Sequence, residues 1–169
     1  MSNIIDVINT LGKEVEDVID NKKTNEYFKY TIVLYSVTEN FLKFLVATHE
    51  CWDESGKQME MADKGKTYDV DFGSIRDKAK NYRFKNAIDK AKTQKLISDD
   101  LYKKIDTIRE ERNDFIHELW TFKEKDNGEV MLKMLLNVRS IIVEITQVFE
   151  KLVYEEIGLG SDDDFLKLL

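Results

Sequence analysis

One short stretch of this chain carries the parts of an acid–base catalyst. Arg112, Asn113 and His117 fall within the string Ile108-Arg109-Glu110-Glu111-Arg112-Asn113-Asp114-Phe115-Ile116-His117-Glu118-Leu119-Trp120. Histidine is the side chain best suited to moving protons near neutral pH, and arginine the one best suited to a phosphate or to charge developing on it. With an amide to orient them, these groups suffice for RNA cleavage without a metal. A base takes the 2′-hydroxyl proton, the guanidinium stabilises the crowded phosphate, and an acid protonates the leaving oxygen. On an ideal helix Asn113 and His117 share a face, whereas Arg112 sits about 140° from His117. Arginine and histidine therefore meet only where the helix loosens near His117 or where a second copy packs alongside. His49 is the only other histidine, and one imidazole cannot easily serve as both base and acid. A symmetric dimer that faces two His117 side chains across one cleft resolves the shortage.

Further cations bear on the same chemistry. Arg109 lies three residues before Arg112 and could extend a phosphate site, although pairing with surface acids explains it as well. Glu110, on the His117 side of the helix, is a candidate to orient the imidazole, or simply part of a solvated face. From Phe72 to Lys95 eight Lys or Arg residues stand against two acids. In that segment Arg83 and Lys85, with Tyr82 and Phe84 beside them, are candidates to track an RNA backbone and stack a base. The competing reading is the polar face of an amphipathic helix whose apolar side is Ile75, Ala79, Ala87, Ile88 and Ala91.

Other chemistries find no support. His49 and Cys51 are two apart on a helix and point away from each other, with no spacing of metal-ligand type, so no metal is expected. Gly158-Leu159-Gly160 follows a helix rather than a strand and reads as a cap, not a dinucleotide loop. There is no G-x-S-x-G elbow, and Asp126-Asn127-Gly128 lacks the spaced acids of a calcium loop. No cofactor is expected.

The elements that must position these residues are helical. Ile4, Val7, Ile8, Leu11, Val15, Val18 and Ile19 form one stripe over residues 3 to 20. Thr24 is the expected N-cap of a second, longer helix to about Asp53, apolar over more than one face and so central. Glu54 to Asp71, polar and holding Gly56 and Gly65, reads as a mobile surface loop. Phe72-Gly73-Ser74-Ile75 reads as a helix start. Ser98 caps a helix to about Trp120, with Asp99 and Asp100 at the positive end of its dipole. On it Leu101, Ile105, Ile108, Phe115 and Leu119 form a core stripe, with Arg112 at the centre of that face. A cation so placed needs carboxylate partners, because burying an unpaired charge costs several kcal/mol. Asp126-Asn127-Gly128 is a turn, and a last helix runs from about Val130 to Glu156 with Gly158 as its cap. The tail from Ser161 is acidic and then apolar, a candidate docking segment.

Composition agrees with this reading and excludes other classes. The chain has 169 residues, no proline, seven glycines, one cysteine and a net charge of −7. Zero proline and few glycines favour an all-α fold over a turn-rich β one. The length suggests one helical domain over 1–169, able to fold without staples. Lone Cys51 makes no intrachain bridge, no run is long and apolar enough for a membrane span, and the N-terminus lacks the pattern of an export signal, so a cytoplasmic chain is expected.

The string from Arg112 to His117, with a polar residue directly after the arginine, resembles the R-x4-6-H motif of the HEPN (higher eukaryotes and prokaryotes nucleotide-binding) superfamily. Phe72-Gly73-Ser74-Ile75, then Leu96-Ile97-Ser98, then the helix with Ile105, Ile108 and Arg112 also look like that family. The resemblance spans about residues 24–158, leaving the first helix and the 159–169 tail as additions. It implies an all-α, four- to five-helix bundle that dimerises with paired sites at the interface. Many members of that family are metal-independent endoribonucleases of toxin–antitoxin, abortive-infection and CRISPR systems. Carried over residue by residue, Arg112 would hold the scissile phosphate, Asn113 would orient it or the substrate, and His117 would be the general acid/base. The expected partners are a second copy, RNA and an antitoxin or other partner protein, with no DNA. A toxin subgroup regulated by nucleotidylation carries tyrosine two residues after the histidine. Here that residue is Leu119, which speaks against such regulation. The alternative under the same resemblance is a non-catalytic module that binds protein, nucleotide or RNA.

Overall fold

A computed structural model describes the backbone of residues 4–117 and 128–156 and the side chains of 6–114 and 128–154. Among the described residues it is all-helical, with α1 (Ile4–Asp20), α2 (Thr24–Asp63), α3 (Phe72–Lys80), α4 (Phe84–Thr93), α5 (Asp99–His117) and α6 (Gly128–Lys151). A π-helical turn, Leu152–Glu156, follows α6. No strand occurs among the described residues.

The 40-residue α2 is the axis of the bundle and packs against every other helix. Its fully buried Tyr35, Phe41, Leu42, Leu45 and Val46 meet Ile88 of α4, Ile105 and Ile108 of α5, and Leu135, Ile141 and Ile145 of α6 in one continuous core. Phe149 of α6 packs at 5.6 Å from Phe41 and 5.4 Å from Phe44, centroid to centroid. Each such side chain contributes roughly 1.5–3 kcal/mol when buried. Thr31, Thr38 and Thr48 are buried too, and their hydroxyls are satisfied by donating to the carbonyls of Tyr27, Leu34 and Phe44.

Both boundaries of α2 differ from the sequence reading. Thr24 is the first residue of α2, not its cap. Lys23 holds the cap position without a side-chain bond, because the chain reverses tightly through Lys22 at φ 51°, with the Lys23 amide bonded to the Val18 carbonyl. The larger correction concerns 54–71: α2 continues to Asp63, and only 64–71 is irregular. The added turns are held by side chains rather than by burial. Glu54 pairs with Lys57, Glu60 with Lys64, and Tyr68 donates to Glu54 at 2.6 Å, folding the following segment back on the helix. Such a helix has no apolar stripe to read. It ends where Gly65 takes φ 69° and the Lys66 amide reaches back to Met61.

The Ser98 cap expected for α5 holds, and α3 has a cap, Asp71, that the sequence reading left in a loop. The Asp71 carboxylate accepts from the Ser74 amide at 3.0 Å, and Ser98 Oγ from the Leu101 amide at 3.1 Å. The last helix begins at Gly128, two residues earlier than expected, and is π-helical rather than α-helical over Leu152–Glu156. Asp126, Asn127, Leu119, Gly158 and the tail from Ser161 lie outside the described residues.

Candidate functional site

The amphipathic pattern of α5 fixes what its second half presents. Leu101, Ile105 and Ile108 are buried against α2 and α6, which brings Arg112 alongside the middle of α2. There the Arg112 guanidinium donates through Nη1 to Glu39 Oε2 at 2.8 Å, and Lys43 Nζ lies 2.7 Å from the other oxygen, Glu39 Oε1. The three side chains are 28%, 17% and 13% exposed for Arg112, Glu39 and Lys43. This is the carboxylate partner that a cation on the core face requires. Two cations converge on one carboxylate, so the group keeps an excess positive charge. Only one N–H of Arg112 is bonded to Glu39, and a guanidinium has five. Among the described residues this arrangement holds the guanidinium still while leaving donors for a phosphate.

Asn113 is exposed and makes no hydrogen bond to Arg112 among the described residues. His117 is the last residue of α5, and its side chain lies outside the described residues. Because α5 is α-helical from Arg112 through His117, the two positions keep their angular separation of about 140°. Loosening of the helix between them is therefore absent.

Glu111 faces the other way, towards α6. Burial pushes its carboxyl up from the usual range against the pull of Lys133 and a hydrogen bond from Asn137. Its Oε2 is buried without a partner, as is the hydroxyl of fully buried Tyr35 on α2. Burial first, and the Glu111 charge second, push the Tyr35 phenol up as well.

The remaining sequence-selected cations are held elsewhere. Arg109 donates to Asp106 at 2.6 Å and to Glu110 at 2.9 Å. Lys85 bonds Tyr102 Oη at 2.8 Å and Asp106 at 2.9 Å, and lies 3.3 Å from Asp89. Asp106 thus joins Lys85 to Arg109, and no bond among the described residues links that network to Glu39. The hydrogen bond to Tyr102 leads the contributions that hold the Lys85 amine above its ordinary range. Arg83 is exposed at the cap of α4. Elsewhere in the basic segment Lys80 pairs with Asp77, Lys90 with Glu50 and Lys92 with Asp99. Its aromatic pair is not free to stack a base. Phe84 is buried in the core, and Tyr82 is half-buried beneath the Lys90 amine, 5.1 Å from its ring centroid. The inward side of α4, with Ala87, Ile88 and Ala91, also claims Phe84, and the one amphipathic helix read from the sequence is two, α3 and α4, separated at 81–83.

His49 lies 3.5 Å from Asp53, while Cys51 faces Arg76 and burial raises its thiol. Among the described residues no three His, Cys, Asp or Glu side chains converge as a metal site, and no helix is long and apolar enough to cross a membrane.

Glu39 and Lys43 were not selected from sequence. Their signal was an i, i+4 acid–base pair set within the otherwise apolar run from Phe41 to Ala47 and its approach. Comparison with family models, curated proteins and solved structures finds no match to this chain.

Proposed function

We propose that this chain is a metal-independent endoribonuclease of the HEPN type, working as a homodimer in a toxin–antitoxin or phage-defence setting. The observation that carries the reading is the clamp on Arg112. Glu39, itself held by Lys43, fixes the guanidinium on the helix that carries Asn113 and His117. In this reading Arg112 binds the scissile phosphate, with local positive charge to spare from Lys43. Asn113, exposed and not bonded to Arg112, contacts substrate. His117 transfers protons, and since 112 and 117 lie far apart around one helix, the His117 of a second copy completes the acid–base pair. RNA is the substrate, and cleavage leaves a 2′,3′-cyclic phosphate and a 5′-hydroxyl.

The same ion pair favours one second reading. Arg112–Glu39 ties α5 to α2, which is what a non-catalytic binding module of the same family would need from it. Incubating mixed RNA with the purified protein in EDTA, beside His117→Ala and Arg112→Ala, separates the two. Cleavage by the parent and its loss in both variants is expected. Equal cleavage by all three, or none by any, overturns the catalytic reading. A thermal melt at two protein concentrations then reports whether His117→Ala acts on dimer stability instead.

A further inference from the structure

The face of α2 that receives α6 continues after α6 has ended. The two helices run parallel, since Gly128 opens α6 beside Thr24 and Phe149 near its other end meets Phe41 and Phe44. Around an ideal helix Thr48, Trp52 and Met59 fall within about 20° of Phe41, so all four belong to one stripe. Exposure along that stripe grows with distance past Phe149. Phe41 is fully buried, Thr48 is 4% exposed, Trp52 39% and Met59 66%. The other side of the same stretch of α2 is taken. Glu50 binds Lys90 and Gln94 of the α4 end, Gln58 donates to the Tyr68 carbonyl, and Glu54 accepts from the Tyr68 hydroxyl. Trp52 and Met59 are thus the outer end of an established helix–helix seam, exposed where the second helix stops.

The chain that follows α6 starts at that point. Leu152 and Val153 of the π-helical turn are still buried, at 2% exposed. Carried on from Phe149, the parallel register sets Glu156 about level with Glu50, one turn before Trp52. Residues 157–169 lie outside the described residues and bring Ile157, Leu159, Phe165, Leu166, Leu168 and Leu169. The eight residues from Ile157 to Phe165 reach at most about 26 Å, and Trp52 to Met59 along α2 is only about 10 Å. A segment tethered beside its surface acts at an effective concentration in the millimolar range, so two apolar anchors suffice where a separate partner would need a larger face.

We propose that segment 157–169 docks on the α2 seam beyond α6, with Ile157 on Trp52 and Phe165 and Leu166 on Met59. This contact does not rest on the ribonuclease reading. Trp52 is about 20 Å along α2 from Glu39, the residue that holds Arg112.

The test uses the full chain with Trp120→Phe, which leaves Trp52 as its one tryptophan. Phe165→Asp with Leu166→Asp is expected to shift Trp52 emission to longer wavelength and to raise its quenching by acrylamide. Met59→Asp, on the receiving face, should do the same. Adding the two tail substitutions to Met59→Asp should then change little, because both remove one contact. None of these signals should depend on protein concentration. A Trp52 indifferent to the tail substitutions, or effects that add in full, overturns the proposal. So does protection of Trp52 that is lost on dilution, which assigns the face to a second copy. Fluorotryptophan resonances of the chain with Trp120 retained give the same reading if Trp120→Phe does not fold.

Discussion

Glu39 accepts a hydrogen bond from Arg112 at 2.8 Å on one oxygen and holds the Lys43 amine at 2.7 Å on the other. One carboxylate on α2 therefore sets the position of the arginine on α5. The relationship is structural and electrostatic at once, because the acid neutralises one cation and leaves the second in excess.

Removing that carboxylate has two expected consequences. Glu39→Gln leaves Arg112 and Lys43 side by side without their shared counter-charge, and should lower stability by about 1–3 kcal/mol, less than a fully buried pair would lose. A denaturant titration should show the midpoint fall at an unchanged slope. If Arg112 serves a phosphate, RNA cleavage should fall further than folding does. A variant as stable as the wild type shows that the clamp is a surface pair of little weight.

Glu111 offers a pH-dependent test. Burial raises its carboxyl pKa in the folded chain. The protonated form is thus favoured by folding, and its contribution is fully present below the unfolded carboxylate pKa and lost as pH rises through the folded value. Glu111→Gln, which stays neutral, should match the wild type in acid and exceed it in midpoint near neutral pH. Equal midpoints across the whole range would show that Glu111 carries no net cost of burial.

Gly65 closes α2 at φ 69°, and a Cβ built there meets nothing within 4 Å. Gly65→Ala therefore isolates the backbone cost of a left-handed residue, about 1 kcal/mol. Thermal unfolding should show a drop of a few degrees with no change in RNA cleavage. An unchanged melting temperature would place the end of α2 elsewhere in solution.

Much of the fold was legible from local patterns. Ile and Val spacing marked α1, Ser98 marked the start of α5, and the run from Phe41 to Val46 announced the central helix, whereas the Asp71 cap of α3 was not read. The extension of α2 to Asp63 was not legible, because it is held by Glu54–Lys57, Glu60–Lys64 and Tyr68 rather than by an apolar face. For the candidate site, the types and order of Arg112, Asn113 and His117 were readable, and so was the need of Arg112 for a carboxylate. Which of 33 acids would supply it was not.

What the sequence alone determined was therefore the all-helical class, many of the core positions (though not Val7, which is exposed) and the grouping of chemically capable residues on one helix, since helix periodicity and capping act within a few residues. The tertiary structure alone decided that Glu39 clamps Arg112 across 73 positions, that Asp106 takes up Lys85 and Arg109, and that Phe84 is buried rather than offered to a base. Those outcomes depend on which helix faces meet. Charge pairing between distant segments is set by packing geometry, and no local pattern in the chain encodes it.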